Sequence, residues 1–116
     1  INNWLGTPYK GGGSDKRGTD CSGFIFSLCK EVYGIELPRT SSLMCAQGTK
    51  KIRKKNKLKE GDLVFFKIEG NRVSHVGMYL KDNLFVHSST TKGVEITSLD
   101  QDYYRKYYYR GGRLNL

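Results

Sequence analysis

The chain has 116 residues, enough for one domain with a true core and too few for two. It carries a formal charge of +9 and no run of about 18 apolar residues, which excludes a membrane-spanning helix and keeps polyanionic partners open. Its three cysteines are an odd number, so at least one is free or pairs outside the chain. The first residue is Ile1 rather than Met and no signal-like apolar stretch follows, so the chain reads as a trimmed fragment whose targeting segment has been removed.

Residues 1–20 contain Gly6, Pro8, Gly11, Gly12, Gly13 and Gly18, a loop composition with at most a short helix around Trp4. The triple glycine is no phosphate loop, because GxxxxGK[ST] is absent and no strand precedes it. Its expected role is to let the backbone pass close to a reactive neighbour. From Cys21 to Tyr33, Phe24, Ile25, Leu28, Cys29 and Val32 recur at three- and four-residue spacing, which predicts a helix with one buried face ended by Gly34. Cys29 falls on that face as a small hydrophobe, about 12 Å from Cys21 along the axis, too far for a disulfide. Cys45 carries no signal. After Pro38, residues 41–47 predict a second short helix capped by Thr40 or Ser41.

Residues 50–59 hold seven basic side chains in ten. They read as a solvated loop, or as a surface for a polyanion such as nucleic acid, anionic lipid headgroups or an acidic envelope polymer. The run has no interleaved aromatics, so nucleic acid is not expected as a partner. Beyond it the period changes. Residues 62–66, 73–80, 84–87 and 94–97 predict short strands separated by Gly, Asn and Asp turns. Residues 103–109 predict a helical turn whose tyrosines read either as a platform stacking on bases or sugars or, the favoured reading, as cover for one side of a small core, and residues 113–116 predict a last strand. Helices followed by a small antiparallel sheet give an α+β fold, with residues 1–116 as a single domain.

The segment Gly18-Thr19-Asp20-Cys21-Ser22-Gly23-Phe24 places a cysteine where a polar loop becomes a helix. Unpaired backbone N–H groups and the helix dipole there favour thiolate, the nucleophilic form. The chain's two histidines are His75 and His87. Strand alternation puts His75, Gly77 and Tyr79 on one face and Val76, Met78 and Leu80 on the core side, with Gly77 leaving room for an approaching group. If Tyr79 and Asn83 flank a three-residue loop, His75 and His87 become a cross-strand pair with Cβ atoms about 5 Å apart. One cysteine with separate histidines is the composition of a cysteine hydrolase: His75 accepts the Cys21 proton and His87 fixes its tautomer. Tyr9 reads either as a hydroxyl near the oxyanion or as packing. Asp20 reads either as the helix cap or as a ligand for a substrate amine, and Ser22 is similarly divided.

These residues resemble a known family. Gly6-Thr7-Pro8-Tyr9 with Gly11-Gly12-Gly13, Thr19 to Phe24, Leu37-Pro38-Arg39-Thr40-Ser41, Gly61 to Phe66, Ser74 to Tyr79 and Phe85 to Ser89 follow the order and spacing of the NlpC-type cell-wall peptidases. The likeness is strongest to the Spr type of murein endopeptidase lipoproteins of Gram-negative outer membranes. It implies a papain-like fold and hydrolysis of peptide bonds in peptidoglycan stem peptides or cross-links, and a monomer without metal or cofactor is expected. It also implies export, to the periplasm or to an outer-membrane-anchored position. It assigns Cys21 as nucleophile, His75 as base and His87 as orienting residue, with Tyr9 near the oxyanion and Asp20, Ser22 and Arg39 lining the groove. Lys10 departs from the aromatic or Arg that many relatives carry before the glycines. Three other readings compete: a catalytic zinc held by Cys21, His75 and His87, a non-catalytic module binding cell wall or polyanion, and a related thiol amidase or acyltransferase.

Overall fold

The computed structural model describes residues 3–115. Among these residues, eight strands and three α-helices follow in chain order, with one 3-10 turn. The expected helices form where the local chemistry dictates. Helix α1 spans Cys21–Tyr33, and Gly34 ends it in the left-handed region at φ 67° with its N–H on the Lys30 carbonyl. Helix α2 spans Ser41–Gln47 behind Thr40, whose hydroxyl accepts the Leu43 N–H at 3.2 Å. The buried stripe of α1 is narrower than the spacing predicts: Phe24, Ile25, Leu28 and Cys29 are buried, whereas Val32 is 57% exposed.

Strands β1 (Ser14–Asp15) and β2 (Gly18–Thr19) form a small hairpin inside the stretch expected to be loop. The other six build one antiparallel sheet in the order β3-β8-β4-β5-β6-β7. Strands β4 (Leu63–Phe66), β5 (His75–Tyr79), β6 (Leu84–Ser89) and β7 (Gly93–Ser98) run as a meander. After α3 (Asp102–Tyr107), β8 (Tyr108–Leu114) returns to pair with both β4 and β3 (Thr49–Ile52).

Two expectations need correction. The basic run is not a plain loop: its first half lies in edge strand β3, with Lys50 and Lys51 exposed and Ile52 buried, and Lys55–Lys57 form the 3-10 turn. Ile52 and Leu58 are the apolar anchors that hold this charged segment to the sheet. The last strand starts at Tyr108 rather than Arg113, and Leu116 lies outside the described residues.

Both faces of the sheet are covered, which is why β4 reads as an unbroken apolar run. Leu63, Phe65, Val76, Met78 and Val86 pack against α1 and α2, as expected for the core side of β5. Val64, Phe66, Tyr79 and Phe85 face the other way, against Tyr104, Tyr107 and Tyr108. Part of the tyrosine-rich segment is therefore core cover, while Tyr103 and Tyr109 remain about half exposed.

Candidate active site

Cys21 is the first residue of α1. Asp20 caps the helix: one carboxylate oxygen accepts the Gly23 N–H at 2.7 Å, and the other accepts the Gly12 N–H at 2.9 Å. Arg39 reaches the same carboxylate at 3.2 Å and donates to Ser22 Oγ at 2.8 Å. The Gly13 carbonyl packs so near α1 that a Cβ at Gly23 would collide with it. The glycine loop thus buttresses the helix start that presents the thiol. Asp20, Ser22 and Arg39 spend their polar atoms on this network and lie outside the lining of the cavity onto which Cys21 opens.

That cavity, of about 580 Å³, is lined by Tyr9, Cys21, His75 and Tyr104 among others. Tyr9 is tied to the loop before Cys21 by the Lys10 N–H to the Thr19 carbonyl and the Thr19 N–H to the Pro8 carbonyl. Burial, and then the neighbouring Cys21, raise its phenol above the ordinary range. His87 is fully buried behind His75. The two rings meet edge to face, with His75 Nε2 and His87 Nδ1 2.8 Å apart. Phe85 stacks on His87 and Phe66 lies against His75, with Tyr104 on the open side.

The histidines share a face by a different register from the simple one. Met78 pairs with Val86 and Tyr79 with Phe85, so the same register sets Gly77 opposite His87, and His75 reaches it along the diagonal. The loop is Lys81–Asp82–Asn83. Asp82 and Asn83 adopt φ 53° and 62°, the Leu84 N–H closes on the Lys81 carbonyl, and the Leu80 N–H also bonds Leu84. Leu80 and Lys81 therefore oppose one residue, a bulge that sets the parity of the two strands. Without it, the two-residue turn would put His87 on the face opposite His75. Gly77 is the room the diagonal needs: a Cβ there would lie 2.7 Å from the Phe85 ring and 3.1 Å from His87 Cβ.

The resting protonation differs from the expectation of a thiolate. Burial pushes the Cys21 thiol up and outweighs the backbone N–H groups of Val76, Ser22 and Cys21 that favour the anion. The thiol points to the Ser74 carbonyl at 3.7 Å. Burial likewise holds both imidazoles well below the histidine range, so both are neutral at pH 7. A neutral His75 that lines the same cavity as a neutral Cys21 thiol can serve as a general base.

Two residues of this site escape sequence reasoning. Thr97 Oγ1 lies 2.9 Å from His87 Nε2, and Glu95, opposite His87 on β7, brings a carboxylate oxygen to 4.0 Å from the same nitrogen. Neither belongs to a motif; only the β6–β7 register reveals them. Among the described residues, no group of three or more His, Cys, Asp or Glu is arranged to hold a metal ion. Instead, His75 and His87 turn a ring nitrogen on each other.

The comparisons agree with this scaffold. The sequence matches the NlpC/P60 family over residues 6–113. It is 45% identical over 114 residues to a probable endopeptidase NlpC homolog of Haemophilus influenzae, covering 98% of this chain and 59% of that protein. It is 42% identical over 111 residues to the murein DD-endopeptidase MepS/murein LD-carboxypeptidase of Escherichia coli, covering 96% of this chain and 57% of that protein. The chain thus spans somewhat over half the length of these two relatives. The crystal structure of an NlpC/P60 family protein from Bacillus cereus superposes with a TM-score of 0.86 at 35% identity, over 96% of this chain and 36% of that one. A helix-borne cysteine beside a histidine pair on a meander is thus set in a scaffold shared along almost its whole length, and the chain belongs to the NlpC/P60 family.

Proposed function

We propose that this chain is a cysteine peptidase of the bacterial cell envelope that hydrolyses peptide bonds in peptidoglycan stem peptides or their cross-links. The observation that carries the reading is the meeting of Cys21, at a helix start, with a neutral His75 braced by His87 at 2.8 Å around one cavity. The names of the relatives, murein and NlpC endopeptidases, supply the substrate class. An exported location follows from that substrate.

The reaction is acyl transfer. As Cys21 Sγ bonds to the scissile carbonyl carbon, His75 takes its proton. The developing oxyanion meets the Cys21 backbone N–H, with the Tyr9 hydroxyl at the same cavity. The C–N bond breaks as His75 gives that proton to the leaving amine. A water, deprotonated by His75, then attacks the thioester and frees the carboxylate and Cys21. Asp20, Ser22 and Arg39 serve by holding the helix start. The exposed cations Lys50, Lys51, Arg53 and Lys54, which take part in no ion pair among the described residues, suit an anionic envelope surface.

The test is digestion of diaminopimelate-type peptidoglycan by wild type and Cys21→Ala, with mass spectrometry of the released muropeptides. Loss of cross-linked dimers to intact monomers identifies a DD-endopeptidase, and truncated stems identify cleavage within one stem. Products that persist in Cys21→Ala, or no products from reduced wild type, would refute a thiol peptidase.

A further inference from the structure

The pair His75–His87 can hold its protons in two ways. In one, His75 Nε2–H donates to His87 Nδ1, and His87 Nε2–H donates to Thr97 Oγ1. His75 Nδ1 then keeps a lone pair for the Cys21 proton. In the other, every bond runs backwards: the Thr97 hydroxyl donates to His87 Nε2, His87 Nδ1–H donates to His75 Nε2, and His75 Nδ1 carries a hydrogen and cannot act as base. Both fit the distances of 2.8 and 2.9 Å, so the ring geometry alone does not choose. A hydroxyl can donate or accept, and Thr97 permits either direction.

What distinguishes them is the carboxylate of Glu95. It is the direct cross-strand partner of His87 and lies on the same face of β7 as Thr97. Its Oε2 is 4.0 Å from His87 Nε2, in a setting where Glu95 is only half-buried and His87 fully buried. A negative charge beside Nε2 favours an N–H there and disfavours a lone pair. The same charge stabilises the proton that His75 gains during attack, because His75 Nε2–H remains a donor to His87 throughout.

Resting on the thiol-peptidase reading above, we propose that Thr97 and Glu95 are positioning residues that set the direction of the chain His75–His87–Thr97, whose His75 end lines the same cavity as Cys21. Thr97 supplies the acceptor that holds His87 as its Nε2–H tautomer, and Glu95 selects that direction over its reverse. Neither touches the reacting atoms; both act through His87.

The experiment combines kinetics on purified cross-linked muropeptides with nitrogen-15 NMR of the two imidazoles in the substrate-free 116-residue chain. Wild type shows His87 protonated at Nε2 and His75 protonated at Nε2. Thr97→Val keeps the shape and removes the acceptor; it lowers kcat by about 10- to 100-fold with KM little changed, and its His87 signals move towards the Nδ1–H tautomer. Thr97→Ser restores both readouts to near wild type. Glu95→Gln, a half-exposed change that leaves the core intact, moves the tautomer in the same direction with a smaller fall in kcat. Should Thr97→Val fail to fold, Glu95→Gln decides alone by the same two readouts. A His87 that stays Nε2–H in every folded variant overturns the proposal, as does equal loss in Thr97→Val and Thr97→Ser. Because the tautomers are read without substrate, an absence of peptidase activity in wild type would refute the functional reading while leaving this measurement informative.

Discussion

At the scale of single residues, the site depends on an absence of side chain as much as on its presence. Gly77 lets Phe85 and His87 approach β5, the strand that carries His75 to its 2.8 Å contact with His87. Gly77→Ala inserts a methyl at 2.7 Å from Phe85 and 3.1 Å from His87. Steady-state kinetics should show a fall of at least about tenfold in kcat, and thermal melts a destabilisation of roughly 1–3 kcal/mol. An alanine variant with wild-type kcat would show that the diagonal pairing is not what activates His75. The glycine beside His75 is visible in the sequence as room for a neighbour. Which neighbour uses it is not, because the diagonal depends on a bulge made by the backbone of Leu80 and Lys81.

At the scale of elements, two short devices aim the chemistry. The first is the start of α1, where Asp20 ties the helix to the glycine loop and to Arg39. Asp20→Ala should cost about 1–2 kcal/mol by denaturant titration and speed amide exchange at Gly12 and Gly23, whereas Asp20→Asn keeps a cap and loses less. Equal losses in the two variants would place the stability in the charge rather than the cap. The second device is the Lys81–Leu84 turn, with Asp82 and Asn83 in left-handed backbone. Asn83→Val should destabilise by roughly 1–2 kcal/mol and Asn83→Gly far less, as read by melting; no difference between them would deny that the turn conformation matters. The contrast in legibility follows from these two devices. The cap of α1 is local, since the Asp20 carboxylate accepts the Gly23 N–H three residues on, so sequence alone places Cys21 at a helix start. Strand β3 stays hidden because lysines crowd both sides of its alternation and leave only Ile52 to show a face. Thr97 and Glu95 stay hidden because a threonine and a glutamate in a strand are ordinary until the register brings them to His87.

At the scale of the whole molecule, burying two histidines couples folding to acidity. The folded state holds His75 at about 4, below the ordinary 6.5, because burial disfavours its cation. His87 is lowered for the same reason and by the charge of His75. As pH falls through 6.5 the unfolded chain takes up protons first, so stability is complete above that value and is lost progressively towards pH 4. Urea titrations at pH 7, 5.5 and 4.5 measure the loss. A flat profile over that window would show that the histidines are not buried as neutral groups. The thiol turned towards the Ser74 carbonyl extends the same logic to chemical durability. Peroxide and electrophiles consume thiolate, and a Cys21 thiol pushed up by burial offers them little of it. For the envelope peptidase proposed above, this means a nucleophile protected between turnovers and open to oxidation only during one. Iodoacetamide should accordingly label Cys21 at neutral pH no faster than it labels a free cysteine.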